Sequence, residues 1–208
     1  MNQKGFARLV LVGVFLVLVV IAGYFVLVKK AVSPVVDEPL PVSTDETANW
    51  KTYTNSQYGF EFKYPEKLSL SVSSGIINLS HSIPFENRDG GCDMKGDVEL
   101  SKTLVDFGLS FRVVAGEVNP PYVDGTYSKG VLNGKWAYMG AEGCGETNYY
   151  FPIAGNKTLI VTKTEVQILS PIVTPEVRAK VLAVPGVISY EESKILLDQI
   201  LSTFKFTK

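Results

Sequence analysis

The chain has 208 residues, a formal net charge of -1 and two cysteines. All 21 acidic residues and 16 of the 20 basic residues lie after residue 30, so this larger part carries a net charge of -5. A mildly acidic domain without a basic stripe lacks the counterion release that drives nucleic-acid binding. Nucleic acid is therefore excluded as an expected partner.

The first hydrophobic segment, Leu9 to Val28, contains twenty consecutive uncharged residues. At about 1.5 Å rise per residue, a helix of this length spans about 30 Å, the thickness of the hydrocarbon core of a bilayer. We therefore predict one transmembrane helix over residues 9–28, in contact with membrane lipid, after a short cytoplasmic leader over residues 1–8. A cleaved signal peptide is the alternative, but its apolar stretch is shorter, about 7 to 15 residues.

Positive charges flank this segment on both sides. The α-amino group, Lys4 and Arg8 precede it, and Lys29 and Lys30 follow it. The excess on the first side favours a cytoplasmic N-terminus, because cytoplasmic flanks of membrane helices are enriched in Lys and Arg. The segment is thus predicted to be a signal anchor of a single-pass protein in the cell membrane, with the C-terminal domain extracytoplasmic.

Residues Gln3-Lys4-Gly5-Phe6 ahead of the apolar segment resemble the prepilin processing site of type IV pilins. In that family an acidic residue normally stands five positions after the cut, where this chain has Val10. The resemblance implies, as one alternative, a pilin-like subunit that assembles through its N-terminal helix. Whether the leader is cleaved after Gly5 stays open.

A linker is predicted over residues 29–48. It contains Pro34, Pro39 and Pro41 together with four acidic residues and no aromatic residue. This composition is typical of an extended spacer, and neither strand nor helix periodicity is present in it. The spacer is expected to hold a domain over residues 49–208 away from the membrane.

Short alternating segments rich in Tyr, Phe, Val and Thr begin at Trp50 and indicate β-structure. The predicted strands are Tyr58 to Tyr64, Leu68 to Val72, Ile76 to Ser80, Val98 to Leu104, Leu109 to Val114, Tyr149 to Ile153 and Thr158 to Thr164. Asn133-Gly134 predicts one hairpin turn, because both residues accept positive φ. Ala154 to Lys157 predicts another, and the strands together predict an antiparallel meander.

Two helices are predicted near the end of the chain. Thr174-Pro175-Glu176 has the residues of a helix start, and this short helix ends before Pro185. Ser189 and Glu192 have the spacing of a capping box and open a longer helix. Its apolar stripe is formed by Leu196, Leu197, Ile200 and Leu201. Phe204 to Phe206 then predicts an edge strand, and the expected fold class is α+β.

Two motifs resemble the PsbP-like family: Tyr58-Gly59-Phe60 through Tyr64-Pro65, and Ile200 to Phe206. The resemblance implies an antiparallel sheet packed between helices, an α/β/α sandwich, over residues 49–208. The best-known members of the family are extrinsic, non-enzymatic subunits of photosystem II. No catalytic or cofactor-binding residue is carried over, because the matched positions are of the kind that pack in a core.

Cys92 and Cys144 are the two cysteines, and a pair of cysteines in an exported domain predicts a disulfide. It would contribute roughly 4 kcal/mol by closing a loop of about fifty residues. Alternatively, Cys144 is a nucleophile with His81 as its base, although Glu142 and Glu146 beside it disfavour the thiolate. No zinc-ligand spacing is present.

Asp89, Asp93, Asp97 and Glu99 surround Cys92 and could hold calcium. Their stride of four differs from the alternating ligands of an EF-hand loop, so a solvated acidic loop is the favoured interpretation. No metal site and no cofactor are predicted.

An aromatic platform for a glycan or peptide is a further hypothesis, because aromatic rings are favoured at binding surfaces. The candidates are Trp136, Tyr138, Tyr149, Tyr150 and Phe151. Adjacent strand residues point to opposite faces, so sheet packing with one tyrosine outward is the simpler interpretation.

The sequence thus predicts a membrane-anchored, non-catalytic binding or assembly module with a protein partner of unknown identity in the cell envelope. An envelope hydrolase with an acidic site is the second hypothesis. Glu191-Glu192 does not meet the spacing of a glycosidase pair, and no GxSxG, phosphate-binding or HExxH motif is present. The pilin-like subunit is the third.

Overall fold

The structure, a computed structural model, describes residues 46–88, 92, 96 and 99–207. The predicted leader, the Leu9 to Val28 segment and most of the linker lie outside the described residues. Within the described residues, neither α-helix is both long enough and apolar enough to cross a bilayer. The domain belongs to one compact unit, Asp45–Lys208.

The described residues form two antiparallel sheets. Their strands are β1 (Lys51–Asn55), β2 (Phe60–Tyr64), β3 (Ser69–Ser73), β4 (Ile76–Arg88), β5 (Leu100–Ala115), β6 (Gly125–Lys129), β7 (Leu132–Ala141), β8 (Cys144–Ile153), β9 (Lys157–Glu165) and β10 (Lys205–Phe206). The large sheet has the order β3-β4-β5-β9-β8-β7-β6, and the small sheet has the order β1-β2-β10. A 3-10 turn (Gln167–Leu169) and two helices, α1 (Pro175–Leu182) and α2 (Tyr190–Ser202), follow β9.

The predicted hairpin at Asn133-Gly134 is wrong. Lys129 pairs with Leu132, so Gly130 and Val131 form the turn, and Gly130 supplies the positive φ of 57°. Asn133 and Gly134 lie within β7 instead. A Cβ added at Gly134 would stand 2.0 Å from the carbonyl oxygen of Tyr150, so the glycine is needed there for close approach of the strands.

The other predicted turn is confirmed. Ile153 pairs with Lys157 across a three-residue loop in which Gly155 and Asn156 have positive φ. A third hairpin, not predicted as such, joins β7 to β8 through Glu142 and Gly143, which also have positive φ. These two hairpins place β7, β8 and β9 side by side.

One long strand, β5, replaces the two strands predicted over residues 98–114. The β4–β5 register shifts between His81 and Ser82, opposite Asp106, so the strand continues through an irregularity rather than stopping. The Asp106 carboxylate is buried, lies 2.7 Å from His81 Nδ1 and accepts a 2.6 Å hydrogen bond from the backbone N–H of Ile188. This contact ties the segment before α2 to the middle of the sheet.

The core lies between the large sheet and the layer formed by α2 and the small sheet. The predicted apolar stripe of α2 is buried in the same cluster as Phe62, Phe111 and Phe204. The rings of Phe62 and Phe111 stack with centroids 4.5 Å apart, which joins the two sheets. Both predicted helix starts are confirmed, and Ser189 and Glu192 form the complete capping box.

The predicted fold class, an α+β domain with helices on both faces of the sheet, is wrong. Strands make up 52% of the described residues and helix 16%, so the domain is mostly β. The apolar core residues that β4, β5, β8 and β9 contribute to the two hydrophobic clusters share one face of the large sheet, and both helices pack there. The opposite face carries a polar row across four strands, Asn78, Ser110, Thr162 and Asn148. Within the described residues, both helices pack on the face opposite to this row, so the sheet does not lie between two helical layers.

Candidate functional site

A cleft of about 670 Å³ lies over strands β6 to β9. Its walls come from these four strands, from the first turn of α2, and from the segment around Ser170 and Ile172. Ligand clefts in proteins have volumes of about 300–1,000 Å³. The cleft is therefore large enough for a small ligand.

The strand register builds the floor of the cleft in two rows. Trp136 pairs with Tyr149, and in the next row Tyr138 pairs with Thr147, which pairs with Lys163. Residues directly opposite on neighbouring strands have Cβ atoms about 4.5–5.5 Å apart. The first row thus consists of aromatic side chains. The second row contains, in order, the Tyr138 phenol, the Thr147 hydroxyl and the Lys163 ammonium group.

A buried ion pair lies at the β9 end of the floor. Lys163 Nζ is 2.7 Å from Glu165 Oε2, and the two side chains are only 5% and 12% exposed. Thr147 Oγ1 donates a 2.7 Å hydrogen bond to the other carboxylate oxygen of Glu165. Both oxygens of Glu165 are therefore engaged, and the carboxylate is held in one position.

Tyr127 and Tyr149 form the aromatic wall on the β6 side. Their rings meet edge to face with centroids 4.8 Å apart, and the Tyr127 hydroxyl donates a 2.6 Å hydrogen bond to Asp198 on α2. Burial raises the pKa of both phenols above the ordinary value, and the hydrogen bond to Asp198 adds to the effect at Tyr127. Both rings therefore remain neutral at physiological pH.

Tyr138 and Asp124 shape the outer rim. The Tyr138 hydroxyl donates to the carbonyl oxygen of Cys144 at 2.8 Å, and the Tyr138 N–H donates to Asp124 Oδ2 at 2.7 Å. Burial raises the pKa of the Tyr138 phenol, so it too stays protonated at physiological pH. The rim is thus fixed by contacts to backbone atoms.

Tyr190 closes the cleft from α2, and two lysine ammonium groups lie near its ring. Lys194 Nζ is 4.5 Å from the ring centroid, and Lys163 Nζ is 5.8 Å from it. Both distances are within the range of cation–π attraction. The ring therefore already interacts with cations of the protein itself.

The two predicted disulfide residues lie outside this cleft. Cys92 and Cys144 are joined in a disulfide with Cα atoms 5.6 Å apart. The alternative that made Cys144 a nucleophile is therefore wrong for this state of the chain, because the sulfur is already bonded. His81, its proposed base, pairs with Asp106 instead.

The acidic residues singled out around Cys92 lie mostly outside the part of the chain that the structure describes. Asp89, Asp93 and Asp97 lie outside the described residues, whereas Glu99 is described and exposed. Among the described residues, no group of three or more His, Cys, Asp or Glu side chains is placed to hold a metal ion. The calcium hypothesis therefore stays a prediction.

The remaining carboxylates have separate surroundings. Glu146 accepts a 2.9 Å hydrogen bond from Asn148 on the opposite face of the large sheet, and Glu142 lies at the tip of the β7–β8 hairpin. Glu191 and Glu192 lie in the first turn of α2, and Glu192 is engaged in the capping box. None of these four residues lines the aromatic cleft.

The structure brings together three of the five aromatic residues singled out in the sequence. Trp136, Tyr138 and Tyr149 line the cleft. Phe151 is fully buried in the core, and Tyr150 points to the opposite face. This division follows the alternation of side chains along β8.

Sequence reasoning missed the residues that complete the cleft, above all Lys163 and Glu165. The signal was present in β9, where these two charges follow Leu159 and Val161 on the same alternating face. Charged side chains on the buried face of a strand are unusual, because burial of an ion is costly. Lys163 and Glu165 therefore indicate the point along β9 where the hydrophobic core ends and the cleft begins.

A second cavity of about 770 Å³ borders the disulfide at the end of β4. Its lining is largely apolar, with Phe85, Ile168, Val173 and Val177 among its residues. The cleft over β6 to β9 combines aromatic side chains with the buried Lys163–Glu165 ion pair. We therefore take this aromatic cleft as the candidate site.

Comparisons with known proteins do not assign the chain to a family. No family model matches it, and no curated protein matches it significantly. A crystal structure from Bacteroides thetaiotaomicron VPI-5482 is similar at 12% sequence identity with a TM-score of 0.39. The match covers 76% of this chain and 49% of the other, so the chain spans about half of that structure. The PsbP-like resemblance therefore stays a prediction that rests on two short motifs.

Proposed function

We propose that this protein is a non-catalytic binding module whose ligand occupies the aromatic cleft. The observation that carries the proposal is the Lys163–Glu165 ion pair on the floor of that cleft. Exchanging a buried ion pair for well-packed apolar residues often leaves stability unchanged or increases it. The pair is therefore poorly explained by stability alone and is well explained by contact with a polar ligand.

The lysine has unused hydrogen-bonding capacity. An ammonium group carries three N–H donors, and within the described part of the chain Lys163 donates to one acceptor, Glu165 Oε2. A buried donor without an acceptor costs about 1–3 kcal/mol. A ligand oxygen in the cleft would supply the missing acceptor.

A hydrolase is the second candidate, because Asp124 and Glu165 line the same cleft. Glycoside hydrolysis requires one carboxyl group to donate a proton and the other to act as a base or nucleophile. Glu165 is held by Lys163 and Thr147, and Asp124 by the Tyr138 N–H. Both oxygens of Glu165 already accept hydrogen bonds within the protein, which supports a binding role for this carboxylate over a role in proton transfer.

We further propose that the module is attached to the cell membrane through residues 9–28, on the extracytoplasmic side. The length of the apolar segment and the flanking positive charges support this placement. The disulfide supports it as well, because disulfides persist mainly in oxidising compartments. A pilin-like assembly through the same segment stays an alternative prediction.

The binding proposal is tested with the fluorescence of Trp136. The chain contains two tryptophans, Trp50 and Trp136, so the Trp50→Phe variant reports from the cleft alone. The full-length variant in lipid nanodiscs is titrated with neutral oligosaccharides, dipeptides, choline, organic acids and nucleosides. Detergents with sugar headgroups are avoided, because they would compete.

We expect at least one of these classes to change the Trp136 emission saturably. The matched Trp136→Phe variant, which retains Trp50, should not respond. If no class changes the emission, or if only Trp50 responds, the cleft is not a binding site. Release of a hydrolysis product from a bound compound would instead support the hydrolase.

A further inference from the structure

We infer that the ligand of the aromatic cleft is a neutral oligosaccharide built of pyranose rings. This inference rests on the proposed binding function and names its ligand class. It follows from three properties of the cleft: its charge balance, its paired donor and acceptor, and its aromatic floor.

The first property is the charge balance. The cleft is lined by two acidic side chains, Asp124 and Glu165, and by two basic ones, Lys163 and Lys194. An anionic ligand would be attracted by the two lysines but repelled by the two carboxylates. A cationic ligand would be attracted by the carboxylates but repelled by the lysines. Because charges of both signs line the cleft, a net charge of either sign on the ligand meets like charges, which favours a ligand without net charge.

The second property is the adjacency of a donor and an acceptor. Lys163 Nζ and Glu165 Oε2 are 2.7 Å apart, so one ligand group can reach both. A hydroxyl both donates and accepts hydrogen bonds, so it can accept from Lys163 while it donates to Glu165. A ligand carboxylate cannot donate, and a quaternary ammonium can do neither. The pair therefore suits a hydroxyl group, which fills both roles with one oxygen atom.

The third property is the aromatic first row. Trp136 and Tyr149 lie directly opposite each other on β7 and β8, beside the ion pair. Tyr149 is only 8% exposed and packs in the core, so the half-buried Trp136 is the ring of this pair that a ligand can contact. The face of an aromatic ring is electron-rich and attracts groups with partial positive charge, such as the C–H bonds of a sugar ring. Sugar rings with C–H faces and hydroxyl edges therefore match the two rows of the floor.

The surroundings of Tyr190 argue against an aromatic cage for a quaternary ammonium ion. Its ring already has the Lys194 ammonium at 4.5 Å and the Lys163 ammonium at 5.8 Å. A ligand cation would have to displace or approach these like charges. The aromatic rings of the cleft are thus better suited to contact with uncharged sugar rings than with a cation.

The test is a titration of the full-length Trp50→Phe variant in nanodiscs, followed by Trp136 fluorescence. The neutral probes are cellotetraose, chitotetraose and maltotetraose, and the charged probes are choline and galacturonate. We expect saturable binding of at least one neutral tetrasaccharide and at least tenfold weaker binding of both charged probes. Deoxy analogues of the bound sugar should include one that loses at least tenfold in affinity, which tests the hydroxyl without altering the protein.

Two variants locate the contact. Lys163→Met combined with Glu165→Leu removes the donor and acceptor while replacing the ion pair with apolar groups, and it should bind the sugar at least tenfold more weakly. Lys135→Met, an exposed lysine on β7, is the matched control and should bind unchanged. Circular dichroism and thermal melting verify that both variants are folded.

The outcomes separate the two proposals. Binding of a charged probe through Trp136 without binding of any neutral sugar overturns the ligand class and leaves the binding function standing. Equal loss of affinity in the Lys135→Met control, or no weaker binding by any deoxy analogue, also overturns the inference. Failure of every class of compound overturns the binding function itself.

Discussion

Lys163 and Glu165 are two residues apart on β9, and their charged groups meet at 2.7 Å on the face of the sheet that carries the hydrophobic core. The pair stands where this core ends and the aromatic cleft begins. Its position connects the energetics of the fold to the proposed function. The same two residues should therefore respond in both stability and binding experiments.

Removing one member of this pair should destabilise the domain strongly. We expect Lys163→Met or Glu165→Leu alone to lower the free energy of unfolding by roughly 3–5 kcal/mol, because each leaves a buried charge uncompensated. The double variant should be more stable than either single variant. Urea denaturation of the wild type, the two single variants and the double variant gives the four free energies of this double-mutant cycle.

The control for this cycle is the exposed pair Lys51–Glu66, whose charged atoms are 3.4 Å apart. Lys51→Met should change stability by no more than about 1 kcal/mol. Additive effects of the two buried substitutions would contradict the account, since they would mean that the charges do not interact.

Loss of the disulfide should also be costly. Cys92 and Cys144 are 52 positions apart, and opening a loop of this length lowers stability by about 4 kcal/mol in the chain-entropy model. We expect Cys92→Ala combined with Cys144→Ala to show this loss, and the wild-type protein to show it after reduction. Free alkylation of both thiols without reductant would contradict the disulfide and the oxidising compartment together.

Stability should fall at alkaline pH. The folded-state pKa of Tyr149 is raised above its ordinary value by burial, so its contribution is fully present below about pH 10 and is lost as the pH rises towards the folded-state pKa. Tyr149→Phe should therefore flatten the decline in melting temperature between about pH 9.5 and 11. Tyr122→Phe, at an exposed ring, is the control. An unchanged slope in Tyr149→Phe would count against a buried, neutral phenol.

The capping box of α2 predicts an effect at acid pH. Hydrogen bonds from Ser189, chiefly from its backbone N–H, lower the pKa of Glu192, so the charged carboxylate contributes stability above its ordinary pKa and loses it as the pH falls through the folded-state pKa. Glu192→Gln should lower stability at pH 7 and have little effect near pH 3. Thermal melting at both pH values tests this, with Glu191→Gln as the neighbouring control.

Local patterns in the sequence predicted individual elements well. The capping box at Ser189 and the turn at Ala154 to Lys157 depend on residues close together in the chain, and both are present in the structure. The turn at Asn133-Gly134 was misplaced because the close approach of Gly134 to Tyr150 depends on a neighbouring strand. A contact between strands cannot be inferred from a dipeptide alone.

The arrangement of layers was beyond reach for a related reason. Two helices were predicted correctly, but the face of the large sheet on which they pack depends on which of its two faces is apolar. The polar row of Asn78, Ser110, Thr162 and Asn148 becomes visible only when the strand register is known. The expected sandwich therefore failed although most of its elements were correct.

The candidate site was partly visible in the sequence. Trp136, Tyr138 and Tyr149 stood out as aromatic residues in predicted strands, but Tyr190 and Lys163 reach the same cleft from other elements. The inward charges of β9 were the missed signal. Lys163 and Glu165 are an even number of positions from Leu159 and Val161 along the strand. Alternation therefore places all four side chains on the core face.

The most direct test of the account is the indole N–H signal of Trp136 in an NMR spectrum of the full-length protein in nanodiscs. The chain has two tryptophans, so Trp50 provides an internal control in the same spectrum. Saturation with the neutral tetrasaccharide that binds most tightly should shift the Trp136 signal and leave the Trp50 signal in place. An unshifted Trp136 signal, or equal shifts of both signals, would contradict a sugar site in the aromatic cleft.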